Sequence, residues 1–202
     1  MYEKFTAGFH VTAGAARSPE PSSDRLTELF ARFGGCTFDR GLYRVHDQTS
    51  SRRASQWVSD AYPEFKGRLV CFGFDWLGRQ FALDPLRGSA SEFEVAMLEP
   101  GTGYAMEVPV AFSDFHDQAL EEYRDACLAP ATFEDWITQT DRDLDFSECA
   151  GYKVPLFLGG KDELGNLEVS DMAVYWSIMG DLRKATQHLA PGTPVSGIDF
   201  IE

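Results

Sequence analysis

The chain has 202 residues, of which 44% are hydrophobic, 13% aromatic and 25% charged. That is enough apolar surface for one substantial core, or two small lobes sharing one, and it excludes a disordered chain. The net charge of −14 repels phosphate backbones and anionic membranes, so nucleic acid and membrane partners are not expected, whereas a basic protein partner is favoured.

The first residues, "MYEKFTAGFHVTAGAA", carry Lys4 and a small-x-small pair at Ala13 and Ala15, which a leader peptide would show. Glu3, Thr6, His10 and Thr12 interrupt any apolar stretch, so mature protein is expected here. No run approaches the ~18 apolar residues of a membrane span, and the expected location is the cytoplasm. "ARSPEPSSDRL", with Pro19, Pro21, Ser22, Ser23 and Asp24, predicts a loop ending in a helix cap. Leu26, Leu29, Phe30 and Phe33 follow at helical spacing and Gly34-Gly35 stop the helix. "GLYRVHD" reads as a strand. "SSRRASQWVSDAYPEF" predicts a short helix ending at Pro63.

The densest stretch is "LVCFGFDWLGRQFALD", residues 69 to 84. Leu69, Val70, Cys71, Phe72 and Phe74 form a continuous apolar run, as in a strand buried on both faces. Asp75-Trp76-Leu77-Gly78 is a turn, with Gly78 free to take positive φ. Phe81 and Leu83 alternate with Gln80 and Ala82; Phe93, Val95 and Met97 share one face of a next strand, and Tyr104, Met106 and Val108 one face of another beyond "EPGTG". Strands joined by such short turns predict an antiparallel meander. After Pro109 the period becomes helical. Ser113 is the expected cap of a helix with Phe115, Leu120 and Tyr123, and Thr132 of a short one with Phe133, Trp136 and Ile137. "TDRDLDFSECAGYK" reads as an acidic loop and the best internal boundary, which divides the chain into 1–140 and 141–202, packed as one globule. A hairpin is expected from "VPLFLGG" and "GNLEV" around "KDEL". Ser170 or Asp171 starts a last helix with Val174, Tyr175, Ile178, Leu182 and Ala185 on one stripe, widened by Met172, Trp176 and Met179; Arg183 and Lys184 suit its C-terminal end, and Pro191-Gly192 terminate it. The fold class is therefore α+β: a central antiparallel meander, packed helices and a C-terminal hairpin-helix unit.

The chemistry-bearing motifs are sparse. Cys36, Cys71, Cys127 and Cys149 form no C-x-x-C pair, which fits a reducing compartment without structural zinc. His10, His46, His116 and His188 are scattered, with no ligand spacing. Asp141, Asp143 and Asp145 have the alternation of a calcium loop, but its glycine and glutamate positions hold Phe146 and Tyr152. "LGGKDELG" is not a P-loop, since Lys161 follows Gly159-Gly160 directly and Asp162 and Glu163 repel phosphate. No metal or cofactor is expected. Asp75, Arg79 and Asp84 are the strongest catalytic candidates, and the enzyme reading they allow is a hydrolase, with or without a divalent metal. That reading requires all three in one concave pocket; a sheet hairpin with structural charges is the simpler account.

Two longer patterns carry a resemblance. "FGG…GLYRVH…YPEF…FGFDWLGRQFALD" followed by "EPGTG" resembles the SUKH-type immunity proteins and the related GAD-like domain. "PLFLGGKDELGNLEVSDMAVYWSIMGDL" resembles the C-terminal domain of immunity proteins paired with type VI secretion DNase toxins. Together they span about Phe33 to Leu182, and the tail pattern, G-G-x(5)-N-L-E before a D-x-x-V-Y-W helix, is the more specific. The resemblance implies a non-enzymatic α+β protein that binds a cognate toxin, a basic nuclease, and blocks it by occlusion. It makes Gly73, Asp75, Gly78, Asp84, Gly159, Gly160, Asn166 and Asp171 fold determinants and carries over no catalytic residue. Local charge density nominates Asp141, Asp143, Asp145 and Glu148 for partner steering. A general protein-binding adaptor has the same appearance in sequence.

Overall fold

The computed structural model describes residues 2–19, 22, 24–89 and 92–189. Seven strands form one antiparallel sheet in chain order: β1 (Val11–Ala13), β2 (Thr37–Phe38), β3 (Tyr43–Val45), β4 (Val70–Asp75), β5 (Gln80–Ser89), β6 (Glu92–Glu99) and β7 (Tyr104–Ala111). The meander read from the turn spacing is therefore present, and the class is α+β. Helix α1 (Glu3–Gly8) precedes β1, α2 (Arg25–Phe33) lies between β1 and β2, and α3 (Gln48–Ala61) between β3 and β4. After β7 come α4 (Phe112–Asp114), a π-helical turn (Phe115–Ala119), α5 (Leu120–Glu122), α6 (Arg124–Leu128) and α7 (Pro130–Thr140). A separate two-stranded sheet, β8 (Glu148–Tyr152) with β9 (Leu167–Asp171), leads into α8 (Met172–Thr186).

The apolar run of β4 is buried on both faces because the sheet separates two cores. Phe72, Phe81, Leu83, Val95 and Met97 face one, with α1, α2 and the helices after β7. Cys71, Phe74, Ala82, Ala96 and Leu98 face the other, with Val58 and Ala61 of α3 and Tyr175, Trp176 and Met179 of α8. A register shift between Cys71 and Gly73 puts Phe72 and Phe74 on opposite sides despite their spacing of two. Pro85, which has no N–H for a ladder, sits in the β5–β6 irregularity between Asp84 and Gly88. Caps set the helix starts: Asp24 accepts from Leu26 N, Asp47 and Ser50 form a reciprocal box, and Asp171 accepts from Ala173 N and Val174 N.

Several local expectations are corrected. The second arm of the hairpin is where it was expected, since Leu167, Glu168 and Val169 of "GNLEV" lie in β9, but its partner is not "VPLFLGG": β8 lies inside the stretch read as an acidic loop, and Leu156–Leu158 and Leu164–Asn166 are 3-10 turns in the connection. Asn166 stands in for strand pairing there, bonding through its side chain to Val154 N and O and to Lys161 O. Ser113 lies within α4 after Ala111, and Thr132 within α7, whose first residue is Pro130. The buried face of α8 is Met172, Tyr175, Trp176, Met179 and Gly180, while Val174 and Ile178 are 55% and 42% exposed. Helix α1, which the sequence reading left unassigned, is held at its start by Asp117, whose carboxylate accepts from Tyr2 N and Phe5 N. Pro21, Ser23 and Pro191-Gly192 lie outside the described residues.

Candidate functional site

The β4–β5 turn shows what the dense stretch does. Asp75 is fully buried; its Oδ1 accepts from Leu77 N and Arg79 N at 3.1 and 2.9 Å, and its Oδ2 from Arg79 Nε at 2.6 Å. Arg79 Nη2 donates onward to the Cys127 carbonyl. Burial pushes the Asp75 carboxyl up, and the Arg79 guanidinium and turn N–H groups oppose that rise. Gly78 takes φ +77°, and a Cβ there would sit 3.2 Å from Cys149 Sγ and Met172 Sδ, so the turn packs directly under β8 and α8. Asp84 belongs to a different cluster: it pairs with Arg68 through both oxygens and accepts from Leu86 N. Asp75 and Arg79 thus form one buried network and Asp84, with Arg68, another, so the three are not brought together as the hydrolase reading requires.

The remaining motif residues are placed as follows. Gly73 lies in β4 beneath the Tyr43 ring. Gly159 and Gly160 end the 3-10 turn, and a Cβ on Gly160 would overlap the Val154 carbonyl at 2.0 Å, a contact no side chain tolerates. His46 and His116 are buried; Nε2 of His46 donates to Gln80 Oε1 at 2.8 Å, and His116 Nε2 meets the Tyr43 hydroxyl at 3.0 Å. Burial lowers their pKa values to about 4 and about 3. All four cysteines are buried and free. No group of three or more metal-capable side chains occurs among the described residues. A groove of about 340 Å³ between α3 and α8 is lined by Trp57, Asp60, Trp176, Gly180, Asp181 and Lys184, among others, and a hollow of about 270 Å³ by Val154, Gly160, Lys161 and Asn166, among others. Neither contains the residues of the two buried carboxylates.

The acidic segment is the most distinctive surface. Asp141 closes α7 in the left-handed region at φ 51°. Asp143 pairs with Arg40 at 2.6 Å and Glu148 with Arg142 at 2.6 Å; Asp145 and Asp141 have no ion pair among the described residues. Asp141, Asp143 and Asp145 are exposed and Glu148 half-buried. The main chain beneath them is tied to the sheet: Leu144 is buried against Gly41, and Arg44 of β3 donates to the carbonyls of Asp145 and Glu148. The charge extends further than the sequence reading placed it. Residues 114–148 contain eleven acidic residues against two arginines. Glu122, Asp125, Glu134 and Asp135 are exposed on α5, α6 and α7, beside Tyr123 at 58% exposure. Their signal was present in the spacing: they occupy the polar side of helices whose other side is Leu120, Leu128, Phe133, Trp136 and Ile137.

The comparisons bear on the same segment. Residues 111–183 match the family model described as T6SS immunity protein Tdi1, C-terminal. The tail is thus similar to type VI secretion immunity proteins, as its motif resemblance implied, and the match points to immunity as the class of function. Across most of the chain the fold is similar to that in the crystal structure of Atu4351 from Agrobacterium tumefaciens, with a TM-score of 0.57 and 15% identity, covering 89% of this chain and 88% of that one. No protein of curated function matches. No helix among the described residues is long and apolar enough to cross a membrane.

Proposed function

We propose that this chain is a non-enzymatic cytoplasmic immunity protein that binds a type VI secretion toxin, a basic nuclease, and blocks it by occlusion. The observation that carries this reading is the family match over residues 111–183, the part of the chain in which acidic residues are concentrated. Such a field attracts a basic partner and raises the encounter rate. Asp141, Asp143, Asp145 and Glu148 take the first contacts in this account, at the head of the unit 141–202. A SUKH/GAD-like unit over 1–140 supplies the sheet on which that unit is mounted. The first test is a pull-down from the source bacterium's lysate with this chain as bait, read by mass spectrometry at low and high salt. The expected result is a basic protein with a toxin-like domain, held at low salt and retained in part at high salt. Recovery of metabolic or regulatory proteins alone overturns the reading in favour of an adaptor.

A further inference from the structure

Arg44, in the middle of β3, is fully buried and has no ion-pair partner among the described residues. Its Nη1 donates to the carbonyls of Asp145 at 2.8 Å and Glu148 at 2.5 Å, and its Nη2 to the Asp75 carbonyl at 2.9 Å. The guanidinium lies 4.5 Å from the centroid of the Phe74 ring, and Nε has no hydrogen-bond partner. Burying a cation on carbonyls alone is costly, and an apolar side chain of similar length fills such a space without that desolvation. What the guanidinium supplies instead is a hold on two main-chain carbonyls, at both ends of the turn 145–148. With those carbonyls drawn inward and Leu144 buried on Gly41, Asp143 and Asp145 are turned outward. Leu144 N donates to the Arg40 carbonyl, which fixes the same segment from the β2–β3 turn.

We propose that Arg44 is a positioning residue for partner binding, holding the segment 141–148 in the form that presents Asp141, Asp143 and Asp145 together to a basic protein. The inference rests on the immunity reading. Preorganised display removes the ordering cost that a free acidic loop bears on association, and its loss is read mainly in the dissociation rate.

The test compares Arg44→Met, Arg44→Lys and, as a control, Val58→Ala, which opens the second core at α3 and leaves every hydrogen bond of Arg44 in place. Dissociation from the basic protein recovered by the wild-type pull-down is measured alongside amide hydrogen exchange. Arg44→Met is expected to speed exchange of amides 144–149 and dissociation by roughly tenfold, with Arg44→Lys between it and wild type. Val58→Ala is expected to lose stability and leave dissociation unchanged. Equal dissociation for Arg44→Met and wild type, or the same acceleration in Val58→Ala, overturns the proposal. If Arg44→Met does not fold, Arg44→Lys against Val58→Ala carries the same comparison. Recovery of no toxin-like protein by the wild type sinks the immunity reading and this inference with it; a recovered toxin bound normally by the Arg44 variants sinks this inference alone.

Discussion

Removing either half of the Asp75–Arg79 pair leaves a charge buried without its counter-ion. Asp75→Asn or Arg79→Met is therefore expected to cost about 3–5 kcal/mol in urea unfolding. Asp84→Asn is expected to cost less, about 1 kcal/mol, because the side chain of its partner Arg68 is 28% exposed and water screens the pair. A loss in Asp75→Asn no larger than in Asp84→Asn contradicts this account. The buried histidines set a pH dependence. In the native chain His46 and His116 stay neutral down to about pH 4 and about pH 3, whereas in the unfolded chain they take up protons near 6.5. Their contribution is complete above pH 6.5 and is lost as the pH falls toward 4, because protons then favour the unfolded state. The expected slope is about 1.4 kcal/mol per pH unit for each histidine. Urea midpoints between pH 7 and pH 4 check it, with His116→Phe expected to flatten the curve.

Helix α8 joins the two-stranded sheet to the second core. Its cap is Asp171, and Asp171→Ala is expected to cost about 1 kcal/mol. Trp176 is 1% exposed and donates from Nε1 to the Gly78 carbonyl, so Trp176→Ala is expected to cost about 3–5 kcal/mol. Val174→Ala, on the exposed face, is expected to stay within about 0.5 kcal/mol. Denaturant titration of the three orders them; a Val174 effect as large as that of Trp176 means that the burial assignment is wrong. The same helix shows how far sequence reasoning reaches. Its existence was legible and its cap was narrowed to Ser170 or Asp171, because both precede a long apolar-periodic run; the structure selects Asp171. Its inward face was not, because Val174, Ile178, Met179 and Trp176 spread over more than half of the circumference and only the sheet decides which part is covered. The meander from β4 to β7 was legible because alternation and tight turns are local signals. Strand β8 was not, since "ECAGY" has one charge, one cysteine and a glycine, and becomes a strand only by pairing with β9. Arg79 was legible as a partner of Asp75 or Asp84, and the structure gives it to Asp75; Arg68 was not legible as the partner of Asp84, because it stands sixteen positions away.

At the scale of the whole molecule the question is how a net charge of −14 is distributed. Much of it lies in residues 114–148, where the pairs formed by Arg40 and Arg142 neutralise only Asp143 and Glu148. Both pairs have half-exposed members, so each adds little to stability and a partner's basic side chain can displace either arginine. Two opposite effects on association follow. Replacing Asp141, Asp143, Asp145 and Glu148 with their amides is expected to slow association about tenfold at low salt and to flatten its salt dependence. Replacing Arg142 with alanine frees Glu148, makes the segment more negative, and is expected to speed association and steepen the salt dependence. Stopped-flow mixing with the recovered basic protein at several ionic strengths measures both. A fourfold variant that associates like the wild type removes this segment from steering and leaves the carboxylates of α5 to α7 around Tyr123 as the surface to neutralise next. A fourfold variant that slows while Arg142→Ala also slows shows that the segment acts through its fixed shape as well as its charge, since Arg142 also bonds the Asp143 carbonyl.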